Sequence, residues 1–142
     1  MSLYLDTSAL VKLIVEEPDS DLANQAFDSF PAASTSAIAR LEATSALARM
    51  RKGGRLSGQA HRTALDDLDD LWRELQVHVV TDPLIEAATR SATEHALRAY
   101  DSLHLATIAT FADAEQVTVA CWDRELRAAV GEYGFALIPE RL

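Results

Sequence analysis

Short apolar runs alternate along this chain with longer segments whose apolar residues recur every three or four positions. Leu3-Tyr4-Leu5 predicts a first strand, which Asp6 ends. Ala9 to Val15 reads as a helix stopped at Glu17-Pro18, and Ser20 to Phe30 as a second short helix before Pro31. Ala32 to Ser36 predicts a short strand. Ala37 to Arg51 is alanine-rich and ends in basic residues ahead of Gly53-Gly54, the signature of a helix and its stop. Ser57 is placed to cap the next helix, whose stripe is Leu65, Leu68, Trp72 and Leu75. Val77 to Val80 predicts a strand, and Asp82-Pro83 then opens a helix with aspartate at the cap. Asp101 opens another, through about Ala112, on the stripe Asp101, Leu105, Ile108 and Ala112. Val117 to Ala120 is a strand, Asp123 starts a further helix, and Phe135 to Ile138 is the last strand. Alternation of this kind predicts an α/β fold, a short and mainly parallel central sheet flanked by helices on both faces. No linker, repeat or low-complexity tract interrupts it, so residues 1–142 read as a single domain.

Composition changes that picture little. Hydrophobic residues at 49% and charged residues at 25% are globular values and exclude a largely disordered chain. Aromatics at 6% argue against a base-stacking sheet. The one cysteine, Cys121, can form neither an internal disulfide nor a thiolate zinc site, which fits a reducing, cytoplasmic setting. Charge changes more. Lys and Arg number 13 against 22 Asp and Glu, a net −9, which argues against tight nonspecific binding of nucleic acid unless metal ions mediate it. No segment approaches the roughly 20 apolar residues of a membrane span, and no basic region followed by an apolar run marks a signal peptide.

The acids carry the candidate chemistry. Asp6 follows the first strand, Asp123 follows the Val117 strand, and Asp101 heads a helix. In a parallel sheet the strand C-ends lie along one edge, where ligand crevices form, so Asp6 and Asp123 are expected in one crevice that Asp101 can join. Glu42 lies inside the Ala37–Arg51 helix on the row Ile38, Glu42, Ala46, Arg49, where a half-buried carboxylate is costly unless paired or metal-bound. Ala39, Ala43 and Ala46 beside it are small enough for the helix to approach the sheet. Singly, each aspartate also reads as a helix cap and Glu42 as a solvated helix residue. Together, carboxylates in one pocket repel and need cations. An oxygen-only set suits Mg²⁺ or Mn²⁺ and metal-assisted phosphodiester hydrolysis.

These same residues carry a family likeness. Leu5-Asp6-Thr7-Ser8-Ala9-Leu10 resembles the opening of PIN-domain ribonucleases, and Ser36-Ala37-Ile38-Ala39-Arg40-Leu41-Glu42 resembles their helix with the second acid. Tyr100-Asp101-Ser102-Leu103-His104-Leu105-Ala106 is similar to their third motif, and Trp122-Asp123-Arg124-Glu125-Leu126 to their fourth. Order and spacing match over nearly the whole chain, and the length resembles that of VapC toxins of bacterial toxin–antitoxin pairs. The resemblance implies a PIN-like three-layer fold and a Mg²⁺- or Mn²⁺-dependent endoribonuclease leaving a 5′-phosphate and a 3′-hydroxyl. Asp6 and Asp101 would be the principal metal ligands. Glu42 would complete the set or act through water, and Asp123 would bind directly or through water. Ser8 would orient Asp6 or a metal water. The resemblance also implies an RNA substrate, a homodimer, and a small antitoxin that wraps the toxin and places a basic side chain near the acids. One departure stands out: Cys121 replaces the usual Thr or Ser two residues before the fourth acid, which weakens the expected support of Asp123.

Other features weigh less. Asp66-Asp67-Leu68-Asp69-Asp70 imitates a prenyl-synthase metal motif but reads as the solvated face of its helix. Arg49, Arg51, Lys52 and Arg55 suit a helix C-terminus, or a phosphate-tracking rim. Arg49, two turns from Glu42 on one face, is the leading RNA-binding candidate, with Lys12 and Arg40 behind it. His104 reads as structural, and His61, His78 and His95 show no zinc spacing. A haloacid-dehalogenase-type phosphatase needs an acid or Thr where Ser8 stands, and a receiver domain needs a lysine that does not follow Val117–Ala120. A non-catalytic metal-binding partner module, and a PIN nuclease working in RNA processing outside a toxin–antitoxin pair, remain as alternatives.

Overall fold

Alternation along the first strand sorts the core into two halves. The computed structural model describes residues 1–111 and 113–142. The elements are β1 (Ser2–Leu5), α1 (Thr7–Ile14), α2 (Ser20–Ser29), β2 (Ala33–Ser36), α3 (Ile38–Lys52), α4 (Gly58–Glu74), β3 (Gln76–His78), α5 (Asp82–His95), α6 (Ala99–Ile108), β4 (Val117–Ala120), α7 (Arg124–Glu132) and β5 (Ala136–Ile138), with a 3-10 turn at Ala114–Gln116. Leu3 and Leu5 pack on one face of the sheet with Ala9 and Leu10 of α1, Ala26 of α2 and Ala39 of α3. Tyr4 points to the other face with Val119 of β4, Leu105 and Ile108 of α6, and Leu126 and Val130 of α7. A two-residue side-chain period requires this division. Helices therefore cover both faces, giving three layers.

The sheet order is β3-β2-β1-β4-β5, and every described pairing is parallel. Leu3 lies opposite Ala33 on one side and Thr118 on the other, so β1 is the central strand. The chain leaves β1 toward β2, while β4 docks on the opposite edge of β1. This reversal of direction opens the crevice expected at the strand C-ends. Two side chains hold that edge. Thr35 Oγ1 donates to the Leu5 carbonyl at 2.7 Å. The buried Arg127 donates to the carbonyls of Cys121 at 2.8 Å and Pro139 at 2.7 Å, joining the exits of β4 and β5.

Several boundaries depart from expectation for local reasons. β3 covers Gln76–His78 rather than Val77–Val80, because its partner β2 ends at Ser36, opposite His78, and leaves Val79 exposed. Thr81, not Asp82, caps α5: its Oγ1 accepts from the Leu84 N–H at 3.3 Å, with Asp82 in the first turn. α6 begins at Ala99 with Arg98 at the cap position, so Asp101 stands inside the first turn instead of opening the helix. Ala112, the last member of the expected stripe, lies outside the described residues. α6 is buried from Ser102 to Ile108 apart from Leu103, which is why no single stripe describes it.

α3 docks through Ala39, Ala43 and Leu47, all fully buried at successive turns. Ala43 and Leu47 meet Val11 of α1 and Ala64 and Leu68 of α4. Small side chains permit this close approach and bring Glu42 to the sheet edge. Leu105 does the equivalent for α6, anchoring the helix that carries Asp101. Replacing the fully buried Leu105 with alanine is expected to cost about 2–5 kcal/mol, read as a lower urea midpoint at an unchanged slope.

Candidate active site

Asp6 and Asp123 follow the exits of β1 and β4, while Glu42 and Asp101 stand on the helices α3 and α6. Asp6 follows β1 directly, with its N–H donating to the Ala120 carbonyl of β4 at 3.1 Å. It is the N-cap of α1: Oδ1 accepts from the Ala9 N–H at 2.9 Å and from Ser8 Oγ at 2.6 Å. Ser8 Oγ in turn accepts from the Trp122 N–H at 2.8 Å, stitching the exit of β1 to the exit of β4. Burial pushes the Asp6 carboxyl above its usual range, against the opposing pull of His104 and of its hydrogen bonds. Asp123 caps α7 through Oδ1, which accepts from the Leu126 N–H at 2.9 Å. Both residues are thus caps and members of one crevice, two readings that do not compete.

Arg98 joins the outer acids. Its Nε donates to Asp101 Oδ2 at 3.1 Å and its Nη2 to Asp123 Oδ2 at 2.7 Å. Burial and the Asp123 charge still raise the Asp101 carboxyl. Glu42 behaves differently. Its Oε1 accepts from Thr7 Oγ1 at 2.7 Å and lies 2.8 Å from His104 Nε2. Burial pushes this carboxyl up, but His104, Thr7 and the Arg98 charge outweigh burial and bring it below its usual value. An ionised carboxylate only accepts, so His104 Nε2 carries the proton between them. His104 is fully buried, and its Nδ1 meets the Tyr4 hydroxyl at 2.8 Å.

Of these groups, Thr7, Glu42, Arg98 and Asp101 line a cleft of about 580 Å³, with Ser45 and Arg49 on the same wall, whereas Asp6 and Asp123 are not part of its lining. Among the described residues, no three acid, histidine or cysteine side chains yet stand close enough to share one ion. Glu42 is turned to Thr7 and His104, and Asp101 and Asp123 are turned to Arg98. The donor chemistry nevertheless fits a hard divalent cation: every donor is oxygen, and two of the acids are buried with too little positive charge to offset it.

The PIN domain family model matches residues 3–119. The chain belongs to the PIN-domain family. It is 34% identical over 140 residues to Ribonuclease VapC45 of Mycobacterium tuberculosis, covering 99% of this chain and 96% of that protein. Among solved structures, this PIN domain is similar to PAE2754 from Pyrobaculum aerophilum, at a TM-score of 0.72 and 19% identity, covering 97% of this chain and 84% of that one. It is also similar to VapC20 of Mycobacterium tuberculosis, described as a sarcin–ricin-loop-cleaving toxin, at 0.70 and 20% identity over 89% and 94% of the two chains. A toxin–antitoxin complex from Klebsiella pneumoniae matches at 0.53 and 19% identity over 87% of each chain.

Not every residue singled out in the sequence reaches the cleft of this PIN domain. Arg49 lines it, with Nη1 donating to Ser45 Oγ at 2.8 Å. Arg40 does not. It stands two residues before Glu42, about 200° around the helix, and donates to Asp69 Oδ1 at 2.7 Å while covering Trp72. Lys12 is committed elsewhere too, to Glu17 at 3.3 Å and the Pro18 carbonyl at 2.9 Å beneath Trp122. The Cys121 thiol sits beside Asp6 rather than against the Asp123 carboxylate, and its Sγ donates to the Asp123 backbone carbonyl at 3.6 Å. Burial, then the Asp6 charge, pushes it up, so it stays a neutral thiol. The acidic run of α4 is exposed at all four aspartates, as expected of a solvated face.

Thr7 and Arg98 carry no role that the residue order alone assigns, and His104 reads there as structural. Their signals were local: Thr7 adjoins Asp6, while Arg98 and His104 stand three residues either side of Asp101, the spacing of neighbours on a helix face. Asp6 also generates a pH test. A raised carboxyl stabilises the fold below the ordinary aspartate range and loses that contribution as pH rises through its elevated value. Asp6→Asn keeps the oxygen that accepts from Ser8 and Ala9 and removes the buried charge. Without metal, the variant is expected to melt above wild type at pH 7 and to converge with it below about pH 4, as followed by calorimetry.

Proposed function

We propose that this PIN domain is a metal-dependent endoribonuclease acting as the toxin of a toxin–antitoxin pair. The observation that carries the reading is that Asp6 and Asp123 stand at the C-terminal exits of the neighbouring parallel strands β1 and β4, with Arg98 bridging Asp123 to Asp101 and with Asp101, Glu42 and Arg49 on one cleft. The VapC ribonuclease relative and the toxin–antitoxin neighbour support the assignment of activity and of a small antitoxin partner.

In this reading Asp6 and Asp101 are the principal ligands of Mg²⁺ or Mn²⁺. Glu42 and Asp123 complete the set directly or through water. A divalent ion held by these acids would make a water more acidic near neutral pH and would offset charge on the phosphate oxygens. The chain's own residues prepare that chemistry. Ser8 fixes the Asp6 carboxylate and, through Trp122, its distance from the Asp123 loop. His104 and Thr7 keep Glu42 ionised and hold Oε1 in place, which leaves Oε2 as the oxygen for a water or an ion. Arg49, anchored by Ser45 on the cleft wall, meets an RNA phosphate. The net charge of −9 repels RNA elsewhere and suits a basic antitoxin segment. Among the described residues no helix is long and apolar enough to cross a membrane, and the reading places the protein in the cytoplasm, as a homodimer.

The test is cleavage of a total cellular RNA pool with Mg²⁺, Mn²⁺ or a chelator. Asp6→Asn and Asp101→Asn are expected to lose on the order of a hundredfold or more in cleavage, since metal ligation supplies several kcal/mol. Both should still melt cooperatively, and full activity in either would sink the assignment. In an Asp6→Asn background that binds but does not cut, Arg49→Ala is expected to lower the slope of log affinity against log salt by about one, measured by fluorescence anisotropy.

A further inference from the structure

Arg98 uses the oxygens that a cation would need. Asp123 has two: Oδ1 is spent on the Leu126 N–H at the α7 cap, and Oδ2 accepts from Arg98 at 2.7 Å. The same guanidinium takes Asp101 Oδ2 at 3.1 Å. These two acids come from different helices, α6 and α7, and the Asp123 charge raises the Asp101 carboxyl. Arg98 offsets that repulsion without belonging to the core. Its side chain is 71% exposed, whereas those of Asp101 and Asp123 are 11% and 25% exposed. It reaches the acids from the solvent side and already lines the cleft.

We propose that Arg98 is the resident counter-cation of the metal-free acid pair and competes with the divalent ion for Asp101 and Asp123. Loading of the ion and withdrawal of Arg98 into the cleft are then one exchange. The proposal rests on the reading of the acids as cation ligands. Two features make the exchange possible. An exposed ion pair is weak, so the guanidinium yields to a doubly charged ion. A guanidinium also spans two carboxylates without drawing them into one coordination sphere, which matches the absence of any three-donor grouping among the described residues. Arg98 therefore stabilises the unloaded protein and weakens its hold on metal, whereas a purely structural arginine would strengthen both.

The test is calorimetric titration of the purified chain with Mn²⁺, together with melting of the metal-free protein. Arg98→Met is expected to bind Mn²⁺ about twofold to thirtyfold more tightly than wild type, the range that two weak, solvent-side pairs carry together. The metal-free variant should melt below wild type, and adding Asp123→Asn should remove that deficit. Arg98→Lys keeps the charge but not the two-armed contact, so its affinity should fall between the two; it decides the matter if Arg98→Met fails to melt cooperatively. Equal or weaker Mn²⁺ binding in Arg98→Met, with wild type binding normally, overturns the exchange and leaves the acid site standing. No Mn²⁺ binding in wild type or in either Arg98 variant overturns the metal reading itself, and the exchange with it.

Discussion

Carboxylates brought to one sheet edge repel each other and resist burial, and most of the surrounding structure answers that pressure. The answers differ by position. Asp6 is met by an N–H at the start of α1 and by the Ser8 hydroxyl, partial charges that only partly offset its burial. Glu42 is met by His104, Thr7 and the Arg98 charge, which together outweigh its burial and bring the carboxyl below its usual value. Asp101 and Asp123 are met by a mobile-length cationic side chain from the solvent side. The result is a site whose inner acids are held by the fold and whose outer acids are held by an exchangeable charge.

Precision at the edge comes from joints between strand exits. Ser8 binds the Asp6 carboxylate and the Trp122 N–H at once, so the first and fourth motifs are joined. Arg127 fastens the exits of β4 and β5, and Thr35 fastens the exit of β1. His104 performs the same service across layers. Its ring runs from the Tyr4 hydroxyl on the central strand to Glu42 on α3. A buried histidine that looks structural from the outside is the link that orients one of the four acids.

Charge is segregated to match. The α4 aspartates face solvent on the far side of the molecule's apolar stripe, where Arg40 and Arg73 pair with Asp69 and Asp70. Arg49 and Arg98 remain on the cleft. An acidic chain thus presents two arginines on the cleft that Glu42 and Asp101 line, a local positive potential within a surface that is negative in sum.

Much of this was legible in the residue order. Alternation in Leu3-Tyr4-Leu5, the capping positions of Asp6 and Asp123, and the small residues around Glu42 follow from local rules of period, sterics and capping. Such rules predict five strands and seven helical segments, as many as the described residues contain, and they put Asp6 and Asp123 at strand exits. The partners of those acids were another matter. Arg40 and Arg49 look alike in sequence, and only their angular positions on α3, together with what packs opposite, send one to Asp69 and the other to the cleft. Lys12 was drawn off by Glu17 and Trp122 through a turn that no periodicity encodes. Arg98 reaches Asp123 across 25 residues, and His104 reaches Glu42 across 62. Residue order determines which groups exist and which local element carries each one. Which charges meet is decided by tertiary packing, because an ion pair depends on distances that close only when separate helices settle on the same sheet edge.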